Sequence, residues 1–443
     1  MPIEIRSIGG YNEVGKNMTA IRVDNEVVIL DMGIHLENYI RLTEDEDLIK
    51  FGVHELTEAG AVPDISLLED WRSLVKAIIP THAHLDHVGA IPYIADRFAA
   101  PIICTPFTAE VIEAILRDEK IKLKNEIKRI NQNSVYEVSD TISVEFLNST
   151  HSTPHTVIAV IHTPYGKILY ANDFKFDMYP TLGKKPNIKR LKELGESGDV
   201  LLLIVDSTYA WDWRKMPSES VAREMLKDVL LGTDSTGKLI VATTFSSHLA
   251  RLNSMVKFAK KLDRKILILG RSMAKYIEAG EKAGLIDFSD DVEIIRYSRK
   301  VKKKLREVAK TREKYFLIVT GHQGEPKAML SRMVRDEFDF VQGDHVVFSC
   351  TVIPTETTIL NRKELEAQLK QKGVRIFKDI HVSGHAARED LRDLICMVKP
   401  LNIIPAHGTF KMTSALVDLA KDIGYESENL HLIQNGDFLS LKL

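Results

Sequence analysis

Three imidazoles and one carboxylate lie within six positions of the sequence, in the segment His82-Ala83-His84-Leu85-Asp86-His87. Neutral imidazole nitrogens and carboxylate oxygens are ligands that suit zinc or manganese. The alternative is a polar loop whose histidines cap a helix and bond to the backbone. Four such groups in so short a loop can hardly all find other partners, so the segment predicts a metal site.

The flanking elements should position this segment for two ions. Val75 to Pro80 is an apolar run typical of a buried strand, and side chains alternate along an extended chain, so His82 and His84 should point the same way. Helical spacing from Val88 to Phe98 places the segment's aspartate and last histidine where the loop becomes a helix. From there they can face a second ion, and two ions about 3.5 to 4 Å apart are a common hydrolytic arrangement.

Other candidate ligands also follow predicted strands. His151 comes after a strand at Ile142 to Leu147, and Asp173 follows a hairpin that ends at Tyr170. Ligands gathered from the ends of successive strands give a rigid site. Seven other histidines have no ligand spacing, namely His35, His54, His162, His248, His322, His345 and His431. The role of His155 stays open.

Composition describes an ordinary globular chain. Its 443 residues suggest two or three domains, with 44% apolar and 28% charged residues. The net charge of −2 argues against a uniformly basic nucleic-acid surface but permits a local basic groove. No apolar run reaches about 18 residues and no signal pattern opens the chain, so we expect a cytoplasmic protein without membrane contact. The three cysteines are predicted to be reduced residues in the protein core.

The pattern of elements predicts an insertion. The chain opens with strands, and residues 36 to 74 indicate an irregular segment with short helices. From about Trp211 helices and strands alternate, which is typical of a parallel-sheet domain. Beyond Val374 the pattern of the first domain returns, with helices predicted at Arg388 to Val398 and Lys411 to Ile423 and a closing hairpin at His431 to Leu441.

Taken together, these residues resemble the metallo-β-lactamase superfamily, and the inserted domain resembles its β-CASP branch, whose members cut nucleic acids. Within that branch the resemblance is to the ribonuclease J family. It is carried by four further motifs, which are Gly9-Gly10-x-x-Glu13-x-Gly15-x-Asn17, Asp173-Phe174-Lys175-Phe176-Asp177, Gly324-Glu325-Pro326 and His381-Val382-Ser383-Gly384-His385-Ala386. Bacterial members carry an additional C-terminal domain after the predicted closing hairpin, so the resemblance implies one of the shorter archaeal members.

The resemblance implies the fold and the domains. We expect an α/β protein with a metallo-β-lactamase αββα sandwich at 1–208 and 375–443. A parallel-sheet β-CASP domain is expected at 209–374.

The resemblance also implies a ligand set for two zinc ions, with manganese as the alternative metal. One ion would be held by His82, His84 and His151. The other would be held by Asp86, His87 and His407, with Asp173 bridging both.

A catalytic pair and a phosphate pocket are implied as well. Asp206 would orient His385, which could steady phosphate oxygens or protonate the leaving 3′-oxygen, although a histidine capping the next helix is the plainer alternative. With Asp86 these complete the expected catalytic residues. A 5′-phosphate pocket would be formed by Ser349, Thr351, Ser383, Gly384 and Ala386.

Two sequence departures bear on the phosphate pocket and on His155. Ile353-Pro354 is followed by Thr-Glu-Thr where bacterial members have Gly-Asn-Glu, and His155 stands where they have an acidic residue. Gln323 either contacts the RNA strand or is a turn residue. Tyr209, Trp211 and Trp213 could stack a base but are predicted to be core.

The expected function is a two-metal ribonuclease that degrades single-stranded RNA from its 5′ end and favours 5′-monophosphate ends. The alternatives are an endoribonuclease of the same branch and a catalytically weak RNA-binding subunit. A small-molecule hydrolase is disfavoured by the long insertion and the Asp206/His385 pair. We also expect a homodimer, although the sequence leaves the oligomeric state open.

Overall fold

The computed structural model describes residues 3–44, 52–296 and 298–441, and these form two compact units. Unit 1 contains residues 1–178, 184–216 and 384–443, and unit 2 contains residues 179–183 and 217–383. Apart from the short segment 179–183, the chain changes unit at 216/217 and 383/384, whereas the sequence places the domain boundaries at 208/209 and 374/375. The second boundary, at 383/384, lies later than predicted because residues 375–377 form a strand that pairs with the sheet of unit 2.

The first part of unit 1 supplies eleven strands and six helices among the described residues. In chain order these are β1 (Ile3–Gly9), β2 (Met18–Val23), β3 (Glu26–Leu30), α1 (Leu36–Glu44), α2 (Val53–Glu58), β4 (Val75–Ile79), α3 (Leu85–Val88), α4 (Ile91–Ile94), β5 (Ile102–Cys104), α5 (Pro106–Glu119), β6 (Ile127–Arg129), β7 (Ser134–Glu137), β8 (Ser143–Asn148), β9 (Val157–Thr163), β10 (Gly166–Ala171), α6 (Ile188–Ser197) and β11 (Val200–Asp206). Short 3-10 helices cover Ile65–Leu74 and Ala95–Arg97. The predicted irregular segment at 36–74 does contain short helices, and its residues 45–51 lie outside the described part.

Unit 2 is built on parallel strands joined through helices, as the sequence predicts. Its elements are α7 (Glu219–Gly232), β12 (Ile240–Thr243), α8 (Leu249–Lys261), β13 (Lys265–Leu269), α9 (Arg271–Lys282), β14 (Val292–Ile295), α10 (Ser298–Lys310), β15 (Tyr315–Val319), α11 (Met329–Arg332), β16 (His345–Phe348), α12 (Glu356–Gln371) and β17 (Arg375–Phe377). The sheet order is β14-β13-β15-β12-β16-β17, and every pair is parallel. Apolar strand residues such as Val241 and Leu317 form its core.

The chain then returns to unit 1 and completes two sheets there. The last elements are α13 (Arg388–Val398), β18 (Asn402–Ala406), α14 (Phe410–Ile423) and β19 (Phe438–Ser440). One sheet has the order β19-β1-β2-β3-β4-β5-β6, and the other has the order β18-β11-β10-β9-β8-β7.

Unit 1 is a four-layer αββα sandwich. Side chains from both sheets share one buried cluster, in which Ile5 and Val28 of the first sheet meet Phe146 and Tyr170 of the second. Helices α6, α13 and α14 cover the outer face of the second sheet, while α5 lies against β6 of the first. The predicted αββα sandwich with an inserted parallel-sheet domain is therefore confirmed.

Three local predictions differ from the structure. The helix predicted from Val88 to Phe98 is broken into α3, α4 and a 3-10 turn, because Pro92 has no N–H and cannot continue a helix begun at α3. Of the predicted closing hairpin only β19 is a strand, and it pairs with β1. Cys396 is exposed on α13, whereas Cys104 and Cys350 are buried as expected. Within the described ranges, helices long and apolar enough to cross a membrane are absent.

Candidate metal centre

Unit 1 brings all seven predicted ligands together in two groups that share one carboxylate. Within each group the potential ligand atoms lie within 4.8 Å of one another. The first group consists of His82, His84, His151 and Asp173, and the second consists of Asp86, His87, His407 and Asp173.

The first group has the spacing of ligands around a common ion. His84 Nδ1 lies 3.1 Å from His82 Nε2 and 3.1 Å from His151 Nε2. Asp173 Oδ2 lies 3.4 Å from the His82 nitrogen and 3.5 Å from the His151 nitrogen. Zinc–ligand bonds near 2.0 to 2.1 Å in a tetrahedron place the ligand atoms about 3.3 Å apart, so these four donors fit one ion.

The second group is wider and partly open. His87 Nε2 lies 3.3 Å from Asp173 Oδ2 and 3.6 Å from Asp86 Oδ2. His407 Nε2 lies 3.4 Å from Asp173 Oδ1. The side chain of Asp86 is 26% exposed, whereas those of the other three are almost fully buried.

Asp173 is placed to act between the two groups. Its Oδ2 faces the first group and His87, while its Oδ1 faces His407. Among the described residues Oδ1 has no hydrogen-bond partner although it is buried. A buried carboxylate oxygen without a hydrogen bond is costly, and a metal ion would satisfy it, so the residues fit a metal pair.

Strand ends position the ligands Asp173 and His407 and the supporting residue Asp31. Asp31 follows β3, Asp173 follows β10 and His407 follows β18, and all three adopt left-handed backbone conformations with φ of 57°, 54° and 51°. Such conformations are unfavourable for residues other than glycine and cluster at functional sites. They turn the chain sharply at the strand end, so that the side chain of each residue points into the site.

Hydrogen bonds at the far side of three imidazoles fix which nitrogen faces the centre. His87 Nδ1–H donates to Asp31 Oδ2 at 2.8 Å, and His407 Nδ1–H donates to Asn17 Oδ1 at 2.9 Å. His151 Nδ1–H donates to the carbonyl oxygen of Gly384 at 2.8 Å. Each of these bonds leaves Nε2 as the ligand atom.

The sequence does not predict the supporting roles of Asp31 and Asn17. Asp31 also accepts hydrogen bonds from the backbone N–H and hydroxyl of Thr81, which immediately precedes the metal-binding segment. The available signals were an acid at the end of an apolar strand and the asparagine of the N-terminal glycine motif. Neither feature of the sequence shows which imidazole the residue would orient.

The pKa values of the imidazoles suit metal binding in the first group. Burial and the nearby His82 ring lower the pKa of His84 to about 3, and burial holds the pKa of His151 well below its usual range. Burial also lowers the pKa of His82. These rings are therefore neutral and can offer lone pairs. Burial opposes charge on His87 too, but Asp173 and other carboxylates outweigh it and raise its pKa well above 6.5.

His385 and Asp206 form a third group with Asp173 at the same site. His385 Nδ1–H donates to Asp206 Oδ2 at 2.8 Å and lies 4.0 Å from Asp173 Oδ1. Asp206 also accepts hydrogen bonds from the backbone N–H and hydroxyl of Thr208. Burial lowers the pKa of His385, but the two carboxylates outweigh it and raise the pKa to about 9.

The chain is similar to known proteins over its whole length. Three family models match, namely the metallo-beta-lactamase superfamily at residues 11–187, the beta-CASP domain of ribonuclease J at 236–364, and the RNA specificity domain of Zn-dependent metallo-hydrolases at 374–430. The protein named Ribonuclease J from Methanocaldococcus jannaschii is 42% identical, with 100% of this chain and 99% of the relative covered. The chain belongs to the ribonuclease J family.

Further comparisons agree with this family assignment. Ribonuclease J of Pyrococcus abyssi is 41% identical over 99% of this chain and 97% of its own length. Ribonuclease J2 of Bacillus subtilis is 30% identical over 99% of this chain and 75% of its own length. A solved Enterococcus faecalis V583 structure of unknown function has a TM-score of 0.66 and 18% identity, covers 99% of this chain and 100% of its own, and shows a likeness of fold alone.

As a member of the ribonuclease J family, the chain is an RNA-hydrolysing nuclease with a metallo-hydrolase domain.

His155 lies outside both ligand groups, in a left-handed turn conformation, and its carbonyl oxygen accepts a hydrogen bond from Thr105.

The residues predicted for a phosphate pocket in this ribonuclease J family member divide between the two units. Gly384 and Ala386 flank His385 in unit 1, whereas Ser349, Thr351 and Ser383 belong to unit 2. The Ser349 hydroxyl is fully buried, donates to the carbonyl oxygen of Ile380 and accepts from Arg251. That hydroxyl is therefore already committed within unit 2.

Gln323 and the predicted core aromatics have different outcomes. Gln323 is a buried turn residue whose amide bonds to the backbone of Thr351 and Ile353, which favours the turn interpretation. The core prediction is wrong for the two tryptophans, because Trp211 is 50% exposed and Trp213 is 72% exposed. They lie on an irregular loop after β11, where side-chain direction cannot be read from periodicity.

Proposed function

We propose that this chain is a two-metal ribonuclease that hydrolyses phosphodiesters of single-stranded RNA from the 5′ end and favours 5′-monophosphate ends. The observation that carries the metal pair is the meeting of two ligand groups at Asp173. Zinc is the proposed metal, with manganese as the alternative, because the donors are imidazole nitrogens and carboxylate oxygens. A matched family model is also described as Zn-dependent.

The chain's own residues define where the scissile phosphate would lie. When bound, two ions would supply Lewis-acid stabilisation of the phosphate oxygens and a water of lowered pKa. The ligands come from buried strand ends, which hold the donors in place before substrate arrives. Asp86 is the partly exposed member of the second group, so we place the entry of substrate on its side.

His385, oriented by Asp206, is the proposed partner of the substrate phosphate. The bond to Asp206 fixes the ring of His385, so that Nε2 is the atom directed toward a phosphate oxygen or the leaving 3′-oxygen. A donor at this position stabilises the negative charge that develops at phosphorus, or protonates the departing oxygen. Asp206 is a positioning residue in this scheme.

The preference for 5′ ends rests on the family relationship and on the segment around His385. The backbone N–H groups beside Gly384 and Ala386 could bind a terminal phosphate as a nest of small residues. The predicted pocket would also use Ser349, Thr351 and Ser383 of unit 2. We further propose that the protein acts in the cytoplasm as a homodimer.

One observation favours endonuclease action as a second candidate. The Ser349 hydroxyl is already engaged with Ile380 and Arg251, which removes one donor from the proposed 5′-phosphate pocket. A site without that pocket would cut internal phosphodiesters regardless of the 5′ group. A catalytically weak RNA-binding subunit is disfavoured because the ligand set is complete.

A time course on one 3′-labelled RNA tests the proposal. The RNA is prepared with a 5′-monophosphate, a 5′-hydroxyl or a 5′-triphosphate, and the variant Asp86→Ala serves as the inactive control. We expect progressive shortening of the labelled strand from its 5′ end, fastest for the monophosphate form. Discrete internal fragments at equal rates for all three forms would replace the exonuclease by the endonuclease. Equal hydrolysis by wild type and Asp86→Ala would remove the metal-dependent mechanism.

A further inference from the structure

A row of rings runs from the candidate metal centre to the surface of unit 1. His407 and His385 are stacked, with ring centroids 5.8 Å apart and an angle of 13° between the planes. The next ring is Tyr209, 6.0 Å from His385 at 36°, and Trp211 stacks on Tyr209 at 6.1 Å and 26°. The row begins at a candidate ligand and ends at a half-exposed tryptophan.

The loop that carries the outer rings is held in place by its own hydrogen bonds. The indole N–H of Trp211 donates to the carbonyl oxygen of Thr208 at 3.1 Å, and the N–H of Asp212 donates to that of Tyr209 at 3.0 Å. The N–H of Arg388 donates to Asp212 O at 3.0 Å, which ties the loop to the start of α13. The Trp211 ring is thus positioned before any ligand binds, so little conformational entropy remains to be lost.

The half-exposed indole of Trp211, stacked on Tyr209, offers a flat aromatic face to the solvent. Nucleic-acid bases stack on such surfaces without sequence preference, since every base has a π-face. Trp213 is a poorer platform, because the Arg388 guanidinium lies over its ring at 4.3 Å. We propose that Tyr209 and Trp211 form a shelf on which the base next to the scissile phosphate stacks.

This inference rests on the proposed function, since it places the phosphate beside His385. The imidazole of His385 would meet the phosphate, and the rings that continue the row from His385 would meet the adjoining base. The contact would hold the strand in register without reading its sequence. Trp211 is therefore a residue for RNA affinity and not a catalytic residue.

The test measures RNA affinity apart from hydrolysis. Full-length wild type and the variants Trp211→Ala, Trp211→Leu and Trp211→Phe are titrated in EDTA with a fluorescent single-stranded RNA of about ten nucleotides, a length within the range that such grooves cover. Tyr165→Ala is the matched control. Tyr165 is a 40% exposed aromatic in the β9–β10 turn, at the opposite end of β10 from Asp173. Melting temperatures report whether each variant is folded.

The same titration is repeated with a set of RNAs, each of which carries one abasic site at a different position. We expect Trp211→Ala and Trp211→Leu to raise Kd about tenfold, Trp211→Phe to raise it less, and Tyr165→Ala to leave it unchanged. An abasic site at one position should weaken binding to wild type by a similar factor. The same abasic RNA should show no further loss with Trp211→Ala, because the contact is already missing.

The outcomes separate this inference from the proposed function. If wild type hydrolyses and binds RNA but Trp211→Ala binds it with unchanged Kd, the shelf is disproved and the ribonuclease proposal stands. If wild type neither binds nor hydrolyses RNA, both are disproved. If Trp211→Ala does not fold, the abasic scan on wild type decides, and equal small effects at every position would overturn the shelf.

Discussion

His87 Nδ1 and Asp31 Oδ2 form a 2.8 Å hydrogen bond between two fully buried side chains. Asp31 is absent from both candidate ligand groups, yet it holds His87 with Nε2 toward Asp173. It also accepts hydrogen bonds from Thr81 at the start of the ligand segment. The Asp31 carboxylate therefore orients the ligand His87 and also holds the loop that carries three further ligands.

Asp31→Asn should weaken metal binding without removing a ligand. Asparagine tolerates the left-handed conformation at this position, so the main change is the lost carboxylate acceptor for His87. Loss of such a supporting partner typically costs about 10- to 100-fold in metal affinity. Competition with a chelator measures the change. Asp70→Asn, at an exposed salt bridge, is the control, and an unaltered affinity in Asp31→Asn would argue against this role.

Asp86→Ala should remove one ion and the activity while leaving the fold largely intact. Its carboxylate is the partly exposed member of the second group, so truncation opens no core cavity. Metal analysis should show a fall from about two ions per chain to about one, because the first group keeps its own donors. Asp96→Ala, an exposed aspartate near α4, should keep both ions. Two tightly held ions and full activity in Asp86→Ala would contradict the ligand assignment.

His385→Gln should lower kcat on RNA by about 10²- to 10⁴-fold, the usual contribution of a positioned proton donor. The metal content should not change, since His385 lies outside both candidate ligand groups. Asp206→Asn should have a smaller effect, because it changes the orientation and charge of His385 but leaves the imidazole present. Single-turnover kinetics and metal analysis on the same preparations check this. Loss of an ion in His385→Gln would make the histidine a ligand.

Gly384→Ala should disturb the first ligand group. A β-carbon at Gly384 would lie 2.7 Å from Ser152 N and 2.9 Å from His151 Nδ1, closer than real contacts allow. His151 also donates to the Gly384 carbonyl, so a shift of this backbone moves the ligand. We expect weaker binding of one ion, measured by chelator titration. Gly232→Ala is the control because nothing lies within 4 Å of the added carbon.

Glu145→Gln should reduce stability at neutral pH and much less at low pH. Burial would raise the pKa of Glu145, but hydrogen bonds from His162 and Arg190 outweigh it and lower the pKa to about 2. A lowered folded-state pKa gives stability above the usual 4.5, and that stability is lost as the pH falls toward about 2. Solvent screens Arg190, which is about a third exposed, so we expect a loss of about 1 to 2 kcal/mol at pH 7.

Urea unfolding of Glu145→Gln and wild type at several pH values measures this difference. The exposed Glu137 on neighbouring β7 provides the control variant Glu137→Gln, for which we expect little change. A gap between wild type and Glu145→Gln that stays constant from pH 7 to pH 3 would show that the ion pair is not its source.

The sequence alone determined the parts of this protein that depend on short-range spacing. The segment from His82 to His87 indicated a metal site because strand alternation and a helix start fix where its side chains point. Alternating helices and strands indicated the parallel sheet of unit 2, since each βα unit has a local period. Strand ends added His151 and Asp173 as candidates, and the resemblance to a known family then added His407 and assigned all three to ligand groups.

Only the tertiary structure decided what depends on convergence of distant strand ends. The separation of the ligand atoms, the nitrogen that each imidazole presents and the support from Asp31 arise where the two sheets of unit 1 meet. The direction of a side chain after a strand ends follows no periodic pattern, so the sequence does not predict the exposure of Trp211. Local periodicity sets the elements, whereas packing between them sets the distances on which chemistry at this site depends.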